Sequence, residues 1–144
     1  MTSRWPALRN AAAAAIEALT PETDAGVLYH DAESDSVLQG ASGRRAFWFG
    51  APAATIMAQQ STDAITARYE WTLYLLLSRG VATIPEFVHA CVTEPLNITR
   101  ALTTLGPTTG AQPIIVTGWT SADIEGTDEV RIEIAMISEV DETL

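Results

Sequence analysis

The chain has no lysine, one cysteine (Cys91) and two histidines (His30 and His89). No apolar run approaches the ~18 residues that a membrane-spanning helix requires. Each shortage removes a class of function. A single cysteine forbids an intramolecular disulfide and suits a reducing compartment. His89 and Cys91 lie two apart on a predicted helix, so they point to different faces, and no second pair completes the roughly four ligands of a zinc site. Positive charge is also scarce. Eight arginines face eighteen acids, for a net charge of −10. Only Arg44 and Arg45 are adjacent, whereas a duplex-binding domain normally carries a basic patch. Missing lysine beside abundant alanine reads as a GC-rich coding bias, which concerns codons and not function.

What is present fits one globular domain spanning 1–144. The chain has 144 residues, 47 % of them hydrophobic, enough for a core without staples. Residues 3–19 read as a helix capped by Ser3, with Pro6 in its first turn and Trp5, Leu8, Ala12, Ala15, Ile16 and Leu19 on one face. This pattern marks the segment as amphipathic rather than as a leader. Val27 to His30 predicts a short strand, Asp31 to Gly43 a loop, and Arg44 to Gly50 a strand centred on Phe47, Trp48 and Phe49. Ala51 to Asp63 has no periodicity and is expected to be a long, mobile loop. Residues 65–78 give the clearest strand. Ala67, Tyr69, Trp71, Leu73, Leu75 and Leu77 alternate with Thr66, Arg68, Glu70 and Thr72, and Leu73 to Leu77 should be covered on both faces.

Thr83 and Glu86 form a capping box, opening a helix whose apolar positions are Phe87, Val88, Cys91 and Val92. Pro95 is expected to kink or divide it, a second segment runs to Leu105, and Gly106–Pro107 ends it. Gln112 to Thr120 and Glu129 to Ser138 predict two more strands, and 139–144 a frayed tail. The order α-β-β-α-β-β implies an α+β fold, a mainly antiparallel sheet of four to five strands with two helices packed on one face.

Catalytic patterns do not emerge. His30-Asp31-Ala32-Glu33-Ser34-Asp35 resembles the start of a calcium loop, but Ser36 and Ser42 stand where that loop needs Gly and Glu. Gly40-Ala41-Ser42-Gly43 has the wrong spacing for a nucleophile elbow. Gly106-Pro107-Thr108-Thr109-Gly110 lacks the lysine of a phosphate loop. Cys91 reads as a small buried apolar residue, although His30 could approach it in the fold. The expectation is a protein that is not an enzyme and holds no metal or cofactor.

Four segments carry a resemblance. They are the helix Trp5 to Leu19, the strand Gly43-Arg44-Arg45-Ala46-Phe47-Trp48-Phe49 with the long segment after it, the strand Arg68-Tyr69-Glu70-Trp71-Thr72-Leu73-Tyr74-Leu75, and a helix feeding the strands Ile114 to Trp119 and Val130 to Ile137. In layout the chain resembles the tail terminator (tail completion) proteins of long-tailed bacteriophages. The resemblance implies a structural virion protein of the tail or neck, assembled in the host cytoplasm. It implies a ring, a hexamer in that family, that caps the tail-tube protein and meets the head-completion or connector proteins. DNA would pass through the ring without specific binding, as the negative charge also suggests. The expected subunit contacts are Arg44, Arg45, Phe47, Trp48, Phe49, Arg68 and Glu70, because consecutive aromatics cannot all face one core. The alternatives are a head-closure or connector protein, an acidic protein- or ligand-binding module, and a small α+β enzyme using Asp, Glu or Tyr.

Overall fold

The computed structural model describes residues 3–22, 28–32, 44–80, 82–105 and 113–144. The helices are α1 (Trp5–Glu17) and α2 (Ile84–Thr103). The strands are β1 (Leu28–Asp31), β2 (Arg44–Phe49), β3 (Ala53–Ser61), β4 (Ala64–Ser78), β5 (Ile115–Asp123) and β6 (Glu129–Thr143). They form one six-stranded sheet in the order β1-β2-β4-β6-β5, with β3 beside β4. Among the described strands, only β1 and β2 pair in parallel. The α+β class is as expected, with more strands than the sequence indicated.

The spine is β4 against β6, paired without a break from Ala64↔Thr143 to Ser78↔Glu129. Their inward residues, including Trp71, Leu73, Leu75, Leu77, Ile132, Ile134 and Met136, are buried. Leu8, Ala12, Ala13 and Ile16 of α1 and Phe87, Ala90, Ile98 and Leu102 of α2 belong to the same core. The other face of the spine stays partly open. Tyr74 and Leu76 are half-buried, not covered as Leu73, Leu75 and Leu77 are.

Four expectations need correction. Residues 53–61 form a strand, not a loop, antiparallel to the first half of β4. Every residue of β3 is exposed, so no burial alternation marks it, and backbone pairing alone makes it a strand. Residues 139–143 continue β6, because Ser138, Val140 and Glu142 turn inward alternately and are buried. Ser3 Oγ accepts from the Trp5 backbone N–H at 3.1 Å, as expected of a cap, and Glu142 adds to it. Its carboxylate accepts from the Arg4 backbone N–H at 3.0 Å and from Ser3 Oγ at 2.9 Å. That places a negative charge at the positive end of α1. Asp31 ends β1 as a buried residue, held by Arg9 through contacts of 2.8 and 2.9 Å. Finally, α2 runs through Pro95 undivided. The proline is buried beside Ile98, and this packing offsets the lost backbone bond. The Thr83–Glu86 capping box forms as expected. Glu33 to Gly43 and Gly106 to Gln112 lie outside the described residues, so the calcium-like run beyond Ala32 and the Gly106–Pro107 stop do too.

Candidate subunit interface

Strand alternation decides where the expected contact residues go. Arg45, Phe47 and Phe49 share the helix-side face of β2 and are buried in the subunit, which removes them from any surface. The Phe47 and Phe49 rings meet edge-on at 6.0 Å, and Phe49 lies 5.0 Å from Trp71. Trp48 turns to the opposite face and stacks on Tyr74 at 5.4 Å, with the Arg131 guanidinium 6.0 Å from the Tyr74 ring. Arg68 is half exposed and pairs with Glu139 across β4 and β6 at 2.9 Å. Glu70 is exposed on β4, opposite Ala53 of β3. Arg44 starts β2, and its side chain lies outside the described residues.

Two apolar surfaces escaped the sequence reading. The first is on α2. Ile84, Val88, Val92 and Leu96 are 61, 58, 52 and 44 % exposed, and their spacing of four makes one stripe along the helix. Three of the four are β-branched and gain little from a solvent-facing helix position. The second is β3, where Ile56 and Met57 are exposed. No charged residue occurs from Ala46 to Thr62 or from Ala101 to Ala122, so β3 and nearly all of β5 are charge-free in an acidic chain. Among the described residues no strand pairs with the outer edge of β3 or of β5. Neither carries the lysine, proline or inward charge that usually blunts an edge, although both are bulged.

Among the described residues, the buried acids that could have been tuned for chemistry are all engaged. Asp31 is held by Arg9, Glu142 by the start of α1, and Glu94 by Arg45 and Tyr29. Arg45 and Glu94 are 2 and 0 % exposed, with Arg45 Nε 2.7 Å from Glu94 Oε1. The Tyr29 hydroxyl donates to the same oxygen. Burial pushes the Glu94 carboxyl above its ordinary range, against the pull of Tyr29 and Arg45. Burial and the Glu94 charge raise the Tyr29 hydroxyl as well. Burial also pushes the Cys91 thiol up, which disfavours the nucleophilic thiolate. His30 alternates with the helix-side residues Tyr29 and Asp31 and so faces away from Cys91 on α2. No cluster of three or more metal-ligating side chains occurs among the described residues.

No protein-family model and no curated protein matches the chain. Among solved structures, a chain from a structure described as the virion of a native gene transfer agent particle shares the fold. The TM-score is 0.66 at 15 % identity, over 98 % of this chain and 99 % of that one. The class defined is therefore an α+β fold shared end to end with a chain of a gene transfer agent virion.

Proposed function

We propose that this chain is a structural subunit of a phage-like virion and acts there as a tail terminator. It forms a ring, a hexamer by resemblance, that caps the tail-tube protein and presents a surface to the head-completion proteins. The observation that carries this reading is the likeness over nearly the full length of both chains to a chain of a gene transfer agent virion. The layout of α1, the long β4 and the α2-β5-β6 unit supports it. Trp48, Glu70 and the half-exposed Arg68 are the contacts from the sequence reading that stay accessible. The test is deletion of the gene from its particle-producing host. Tails of uncontrolled length and tails unattached to heads are expected, with labelled protein at the tail–head junction of wild-type particles. Normal particles, or purified particles free of this protein, would count against the reading.

The same reading makes a prediction about DNA. Protein–duplex affinity comes mainly from cations that displace condensed counterions. Here Arg9, Arg45, Arg68 and Arg131 are each paired with a carboxylate, and the net charge is −10. Asp31, Glu139 and Glu142 are held within the subunit, whereas Asp123, Glu125 and Asp128 of the β5–β6 turn are exposed acids available to face a lumen. Repulsion over a Debye length of ~8 Å keeps duplex DNA off such a surface. No binding to duplex DNA at physiological salt is expected in an anisotropy titration. Salt-sensitive binding at micromolar protein would revive a nucleic-acid-binding role.

A further inference from the structure

The two uncovered apolar surfaces lie on opposite sides of the subunit. In the sheet, β3 flanks β4 on the β2 side, and β5 is the far edge beyond β6. In the helical layer, α1 packs on β1 while α2 packs on β5 and β6. The flank of α2 that meets the α1 end is marked by Asn97, Arg100 and Ala101, which share a groove with Leu19 and Thr20. At 3.6 residues per turn, Val88, Val92 and Leu96 project from the other flank, on the β5 side. The molecule therefore carries a charge-free strand arm on one side. On the other side it carries an uncharged strand edge beside an apolar helix stripe.

We propose that these two surfaces are the halves of one heterologous contact, and that the β3 arm of each subunit docks on the β5 side of the next. The outer edge of β3 extends the neighbour's sheet beyond β5, in the manner of strand addition. Ile56 pairs with the buried Ala67 and so lies on the helix side of the sheet. In the neighbour it comes to rest under the stripe of Val88, Val92 and Leu96. Electrostatics selects the occupant. Subunits with a net charge of −10 repel, so a contact between copies must use surface without charge, and these are the long uncharged segments. The strands match in length, nine residues each. Because the two halves differ and lie on opposite sides, the contact repeats head to tail, into a ring where the rotation closes and a filament where it does not, and not into a two-fold dimer. This inference rests on the ring reading above and supplies its interface.

The experiment uses the full chain with Ile56→Glu on the arm and Val92→Glu on the stripe. Both positions are exposed, so melting curves should stay near wild type. Mass is read by light scattering across a concentration series. Wild type should assemble, and each variant alone should associate at least about tenfold more weakly. Mixing the variants is the decisive arm. Each retains the half that the other lacks, so the mixture should give a heterodimer with one intact contact and nothing larger. Variants that assemble like wild type overturn the proposed interface, as does a mixture that stays monomeric. A wild type that remains monomeric at high concentration also overturns it. The virion reading is judged separately, by the particles of the deletion strain.

Discussion

Trp71→Ala should lower the melting temperature by roughly 10 °C or more, one of two large effects expected from single residues in the core. Trp71 is 2 % exposed at the centre of β4. Its ring meets Trp5 edge-on at 5.5 Å and Phe49 at 5.0 Å, so it joins α1, β2 and the spine. Its indole N–H donates to Ser138 Oγ at 3.0 Å, and Ser138 is itself buried. Truncation removes the packing of a large aromatic and leaves a cavity, at a cost of about 3–5 kcal/mol. A domain of this size is stable by only about 5–15 kcal/mol. Trp71→Phe separates the two contributions. It keeps most of the ring contacts and leaves the Ser138 hydroxyl without its donor, at a cost of about 1–3 kcal/mol. Thermal unfolding followed by circular dichroism ranks the three proteins. A Trp71→Ala variant melting within a degree or two of wild type would mean that this face of β4 is not the core.

That face was legible because burial imposed a period on the sequence. The alternation from Ala67 to Leu77 and from Val130 to Met136 follows from one side packing under helices and the other meeting water. The Thr83–Glu86 box was legible because capping is local, three residues wide. The missed features have the opposite character. β3 has no buried face, so its sequence carries no period, and its strand state depends on pairing with residues 64–70. Glu142 caps a helix from the far end of the chain, and no local motif encodes such a contact. Arg45 and Asp31 are charged residues inside the fold, where composition places apolar ones. The stripe on α2 was unreadable for another reason. Val88 and Val92 are indistinguishable in sequence from core positions, and only the fold shows that α2 is apolar over a wider arc than its own subunit covers.

The second large effect is expected at Arg45. Arg45→Met should destabilise the protein by about 3–5 kcal/mol, because Glu94 then keeps a buried carboxylate with no cation beside it. The pair links β2 to α2, and Tyr29 adds β1. A charge pair removed from water is a weak source of net stability, since desolvation offsets most of the attraction, yet breaking it on one side is costly. The consequences are distinguishable. In the single variant Glu94 can relieve the cost by taking a proton. Its folded pKa, already raised by burial in the wild type, then rises further above the unfolded value. A folded state that binds the proton more tightly loses stability as pH rises from the unfolded pKa toward the folded one. The variant should therefore be rescued in part at acidic pH, with a steeper fall than wild type as pH increases. Replacing all three polar ends at once, in Tyr29→Phe/Arg45→Met/Glu94→Leu, removes the stranded charge and should return stability to near the wild-type value. Denaturant unfolding across pH measures all of this. Equal stability of Arg45→Met and wild type would mean that water reaches Glu94. A triple variant as unstable as the single one would mean that the network contributes shape that apolar side chains do not reproduce.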